Sequence, residues 1–129
     1  MRIDIVSLLV NDQDRAGRFY TEILRFVKKM DVPAGEYRWI TFVSPEVPDG
    51  VQLSLEPSAQ PVAKAYQSGL VEQGIPATAF TVDNVQAEYE RLTALGVKFT
   101  LAPAIEDWGA MAIFDDTVGN LIQIQQVNG

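Results

Sequence analysis

Gln52 and Gln123, Ser7 and Ser54, Glu56, Trp39 and Trp108 are the side chains of this 129-residue chain whose types and places invite chemistry. Paired amides can grip a carboxamide or carboxylate ligand, or each other. An indole face near acids such as Glu56, Glu106 or Asp107 suits a cation or a flat aromatic group. The chain has no histidine and no cysteine. The serine hydroxyls therefore lack an imidazole to activate them, and no thiolate nucleophile, disulfide or Cys-based metal site is available. Asp115-Asp116 looks like a catalytic carboxylate pair. It lies in Asp115-Asp116-Thr117-Val118-Gly119-Asn120, however, where aspartate more simply caps the backbone N–H groups of a turn. No glycine-rich phosphate loop occurs, and Gly119-Asn120 is a turn signal.

The elements that must position these groups come in two copies. Val10-Asn11-Asp12-Gln13-Asp14-Arg15-Ala16, running on to Leu24-Arg25-Phe26-Val27, returns as Val82-Asp83-Asn84-Val85-Gln86-Ala87, running on to Leu95-Gly96-Val97. Ala16 to Ala87 spans 71 residues and Val10 to Val82 spans 72, so the copies differ by one residue, placed here just after the strand. Residues 2–11 read as a strand. Asp12 or Asp14 can cap the following helix, whose Ala16, Phe19, Tyr20, Ile23 and Leu24 share one face of a 3.6 repeat. A short strand at 26–30, a turn at Pro33-Ala34-Gly35-Glu36 and a hairpin of strands 37–44 and 51–56 follow. The second copy reads as strand 77–82, helix 85–95 and strands 97–100, 110–115 and 121–126. This gives one domain over 1–129: module one 1–57, a linker 58–76 with a short helix near 63–72, and module two 77–129. Each module is β-α-β-β-β. One helix covers only one sheet face, so two modules side by side give an α+β fold with a curved mixed sheet around a cavity.

Composition limits the partners. Apolar residues are 47% and charged residues 21%, ordinary for a globular chain. With 17 Asp and Glu against 10 Lys and Arg the net charge is −7, which disfavours nucleic acid and favours cationic or neutral ligands. No apolar run approaches the roughly 20 residues that span a bilayer, so no membrane partner is expected. The N-terminus reads as a strand and not as a signal peptide, which makes the cytoplasm the expected location.

The duplicated pattern resembles the vicinal oxygen chelate superfamily, which groups glyoxalase I, bleomycin-resistance proteins and extradiol dioxygenases. The resemblance rests on Leu8-Leu9-Val10-Asn11-Asp12 with Ala16, Phe19 and Tyr20, on Leu24-Arg25-Phe26 in place of the usual Leu-Gly-Phe, and on Ala79-Phe80-Thr81-Val82-Asp83-Asn84-Val85. Leu95-Gly96-Val97 and the closing Phe114 to Gln123 complete it. Arg25 stands where glycine is usual; if the turn needs a positive φ, it costs on the order of 1 kcal/mol. The resemblance implies four metal-ligand positions, on Ile5, Gln52, Ala77 and Gln123. Ile and Ala offer no lone pair, and neutral amides bind divalent ions weakly without carboxylates beside them. No metal and no cofactor are therefore expected, nor the metal-dependent glyoxalase or dioxygenase chemistry.

With Ile5 inward, alternation turns Ser7, Leu9, Gln52, Ser54, Glu56, Ala77, Ala79, Thr81, Gln123 and Gln125 inward as well. Gln123 bonded to Gln52 as a buried pair competes with ligand binding by the same two amides. Tyr37, Trp39 and Thr41 share a side, with Trp39 either lining the cavity or packing in the core. Trp108 lies in Ala104 to Gly109, a loop with no evident counterpart in the first module, and is read as a cavity lid. The expected ligand-binding set is thus Ser7, Trp39, Thr41, Gln52, Ser54, Glu56, Ala79, Trp108 and Gln123. The expected function is metal-free binding, or sequestration, of a small cationic or aromatic compound by a homodimer. The alternatives are a superfamily enzyme using Glu56 or Asp107 as base, and a structural or interaction module whose cavity has closed.

Overall fold

The structure is a computed structural model and describes residues 1–128. In chain order it contains β1 (Ile5–Val10), α1 (Gln13–Arg18) running into a π-helical segment (Phe19–Ile23), β2 (Val27–Ala34), β3 (Tyr37–Val43) and β4 (Gln52–Pro57). Then come α2 (Pro61–Glu72), β5 (Thr78–Thr81), α3 (Val85–Ala94), β6 (Phe99–Glu106), β7 (Gly109–Asp115) and β8 (Leu121–Val127). Two compact units result, one ending at Ala65 and the other beginning at Tyr66. The first carries a sheet of order β1-β4-β3-β2 and the second a sheet of order β5-β8-β7-β6. In both, the first strand runs parallel to its neighbour and the other pairings are antiparallel. The repeat in the sequence is a repeat of topology.

The one-residue difference between the copies sits elsewhere than the repeat suggested. Asp12 caps α1 by accepting the Arg15 N–H at 3.0 Å, and Asn84 caps α3 by accepting the Ala87 N–H at 2.9 Å. These caps are 72 residues apart, whereas the left-handed residues that close the helical segments, Arg25 (φ 67°) and Gly96 (φ 90°), are 71 apart. The extra residue therefore lies inside the first helical segment. The π-helical turn absorbs it: the Leu24 N–H reaches back five residues to the Phe19 carbonyl at 3.1 Å, and the Phe26 N–H six residues to that of Tyr20 at 2.9 Å.

Two strands run further than their sequences suggest. β2 continues through Pro33 to Ala34, and β6 through Pro103 to Glu106. Both are edge strands, where the N–H that proline lacks has no ladder partner to lose. The turn then narrows to Gly35-Glu36, closed by Ala34 opposite Tyr37. In the first unit Leu8, Val10, Ala16, Phe19, Tyr20, Ile40, Phe42 and Leu55 are buried, and the Tyr20 and Phe26 rings stack at 6.4 Å. In the second, Val85, Leu92, Ala112, Phe114, Ile122 and Ile124 are buried, with Phe99 edge-on to Phe114 at 5.6 Å. Each fully buried large apolar side chain contributes about 1.5–3 kcal/mol.

Candidate functional site

The helix α1 marks one side of the first sheet: a Cβ placed on Gly17 would meet the Ile40 side chain at 3.4 Å. Alternation from Ile40, Phe42 and Leu55 puts Trp39, Thr41, Ser54 and Glu56 on the side away from α1. The register adds the rest, since Ser7 lies opposite Ser54, Ile5 opposite Gln52, and Thr41 opposite Ser54 on its other flank. All six expected residues of the first module therefore share one sheet face. Thr41 and Ser54 are buried, Trp39, Gln52 and Glu56 are half-buried, and Ser7 is exposed. The polar groups are joined in pairs. The Thr41 hydroxyl donates to Gln52 Oε1 at 2.8 Å, and the Ser54 hydroxyl donates to Glu56 Oε1 at 2.7 Å.

In the second unit Ala79 lies opposite Gln123, and Gln123 Nε2 donates to Gln125 Oε1 at 2.9 Å. Each glutamine has a hydrogen-bond partner within its own sheet, Gln52 in Thr41 and Gln123 in Gln125. The register also sets which positions of the two modules correspond. Ser7 and Ala79 each stand three residues before the strand-ending valine, opposite Ser54 and Gln123 respectively. Ser54, and not Gln52, is therefore the first-module counterpart of Gln123.

Trp108 is not in a long loop. Glu106 pairs with Gly109, which leaves Asp107 and Trp108 as a two-residue hairpin turn, the counterpart of Gly35-Glu36 in the first module. The turn is tied down from β8, as the Asn128 N–H donates to the Trp108 carbonyl at 2.9 Å and Asn128 Nδ2 to the Asp107 carbonyl at 3.1 Å. Trp108 remains 41% exposed.

Asp115 and Asp116 do what the turn reading expects. Asp115 Oδ1 accepts the Thr117 N–H at 2.7 Å, and Asp116 Oδ1 accepts those of Val118 and Asn120, both at 3.0 Å. Sequence reasoning missed Gln67 of α2, whose Nε2 donates to the Val118 carbonyl at 3.0 Å and to Asn120 Oδ1 at 3.2 Å. The one hint lay in Gly119, where any Cβ would meet the Gln67 amide nitrogen at 2.6 Å.

The metal that the superfamily scaffold implies has no fitting donors here. Ile5, Ser54 or Gln52, Ala77 and Gln123 offer two aliphatic side chains, a hydroxyl or amide, and an amide. Among the described residues no group of three or more His, Cys, Asp or Glu is placed to hold a metal ion. No helix among them is long and apolar enough to cross a membrane.

Two mixed four-stranded sheets, each from a β-α-β-β-β module, define a known class. The family model of the Glyoxalase/Bleomycin resistance protein/Dioxygenase superfamily matches residues 2–124, and the chain belongs to that family. It is 52% identical over 126 residues to YurT, an uncharacterised protein of Bacillus subtilis (strain 168), covering 98% of this chain and 99% of YurT. Among solved structures it resembles UcmS2, with a TM-score of 0.83, 32% identity and 97% of both chains covered. It shares the fold of TnmS3, an antibiotic binding protein from Streptomyces sp. CB03234, with a TM-score of 0.76, 24% identity and 99% and 97% of the two chains covered.

Proposed function

We propose that this protein binds a small cationic or aromatic molecule without a metal and without turning it over. The observation that carries this reading is the first-module sheet face away from α1. Its internal pairings use one oxygen of Glu56 and the oxygen of Gln52, which leaves the second Glu56 oxygen and the Gln52 amide nitrogen for a ligand beside Trp39. The acidic balance of the chain supports a cationic ligand. TnmS3 lends only the fold to this argument, together with the fact that one protein of this fold binds an antibiotic. Burial of Ser54 at 1% argues against it as a nucleophile, even with the Glu56 carboxylate on its hydroxyl. The same reading makes the protein a cytoplasmic homodimer with no nucleic-acid or membrane partner, and keeps Ser7, Ala79, Trp108 and Gln123 as candidate ligand contacts.

The test is a ligand screen read by tryptophan fluorescence, with elemental analysis of the purified protein alongside. Saturable binders should be cationic or aromatic and should remain chemically unchanged. Zinc, nickel, manganese and iron should be far below one per chain; a tightly held ion near unity would overturn the donor assignment. Trp108→Ala should weaken binding roughly tenfold. Unchanged affinity would remove Trp108 from the site.

A further inference from the structure

Strands β3 and β4 pair only at Thr41↔Ser54 and Phe42↔Leu53, whereas their counterparts β7 and β8 pair without interruption from Gly109↔Val127 to Asp115↔Leu121. Beyond Ser54 the first sheet is therefore open between two adjacent strands. Continuing the antiparallel register past Thr41↔Ser54 would set Trp39 directly against Glu56. The opening therefore lies where that pair would stand.

One residue fills the opening from behind. Gln13, the first residue of α1, sends its Nε2 to the Arg38 carbonyl of β3 and to the Leu55 carbonyl of β4, both at 2.8 Å. Its Oε1 accepts the Arg38 N–H at 3.0 Å. The side-chain amide thus stands in for a missing rung of the ladder, bonded to both strands and setting their separation. In the second module the place after the helix cap belongs to Val85, which is buried, and the strands there stay closed. The wedge belongs to the first copy alone.

We infer that this wedged gap is a seat for a flat cation, held between the Trp39 indole face and the Glu56 carboxylate, and that Gln13 is the positioning residue that sets its width. The inference rests on the small-molecule reading above and gives it a ligand class and a place. Glu56 keeps one oxygen for the cation while Ser54 fixes the other at 2.7 Å. A planar amidinium pairs edge-on with a carboxylate while its flat face stacks on an indole, a fit to both planes that a tetrahedral ammonium lacks.

The probe is benzamidine, with neutral benzamide of the same shape as control, followed by the Trp39 indole N–H resonance in two-dimensional NMR. Benzamidine should shift that resonance saturably. Benzamide, and benzamidine on the half-exposed Glu56→Gln variant, should bind at least roughly tenfold more weakly. Gln13→Leu should weaken benzamidine several-fold, shift the Trp39 signal of the free protein and speed hydrogen exchange at the Arg38 N–H. Equal affinity for the two probes, or affinity indifferent to Glu56→Gln, overturns the seat. If screened compounds bind saturably but ignore both Glu56→Gln and Gln13→Leu, the seat falls and the small-molecule reading stands. If nothing binds, both fall.

Discussion

Arg25 and Gly96 occupy the same place in the two copies, and both have a positive φ, 67° and 90°. A left-handed conformation costs a residue with a Cβ about 1–2 kcal/mol, and glycine gives back about 0.5–1 kcal/mol of that as unfolded-state entropy. Arg25→Gly should therefore raise stability by up to about 1 kcal/mol in urea denaturation, and a loss would mean that the arginine side chain does more than its exposure suggests. The sequence exposed this position, because Leu24-Arg25-Phe26 stands where glycine is usual. Gly109 is the opposite case. A Cβ there would lie 1.9 Å from the Gln126 carbonyl oxygen, so a backbone must move to admit it. Gly109→Ala should cost more than about 1 kcal/mol, and an unchanged melting temperature would contradict that close approach.

Among the elements, α2 is tied to the β7–β8 turn by the Gln67 amide, which donates to the Val118 carbonyl and to Asn120. Asp116, fully buried, accepts two backbone N–H groups and the Asn120 amide, the last at 2.8 Å. Removing such an acceptor strands donors that each cost about 1–3 kcal/mol when unsatisfied. Asp116→Ala should lower stability by about 3 kcal/mol or more, while Asp115→Ala, on an exposed neighbour, should cost far less; equal losses would refute the network. At the edge strand β2, the hydrogen bond from Lys28, followed by those from Arg38, holds the Asp31 carboxyl below its ordinary value of 3.8. A depressed carboxylate pKa stabilises the fold above the unfolded value and ceases to do so as pH falls through the folded one. The stability gap between wild type and Asp31→Asn should then be constant above pH 3.8 and close below it, as read from melting temperatures. Strands and helices followed their periodicities because their apolar faces are regular. Pro33 misled because it was read as opening a turn, whereas a sheet edge tolerates proline, and edges are a property of the assembled sheet.

For the whole molecule, the doubling was legible because two stretches share order and spacing. The six first-module residues were found on one face because alternation is geometric. The Thr41–Gln52, Ser54–Glu56 and Gln13 contacts were not, since a pattern gives direction and not partner. Ser54 was displaced by Gln52 as the counterpart of Gln123 because register between strands cannot be counted along one of them. Sedimentation should give twice the chain mass if the homodimer proposal holds, and a monomer would refute it. The π-helical turn has a last consequence. It gives the first helix one residue of slack that the second does not own. Excising Glu22 should let Phe19–Ile23 tighten to ordinary pitch with its flanks in phase, and the protein should still fold. Excising Thr93 from α3 should swing everything after it by about 100° and ruin the second half. A single lost codon should be survivable in one copy and fatal in its twin.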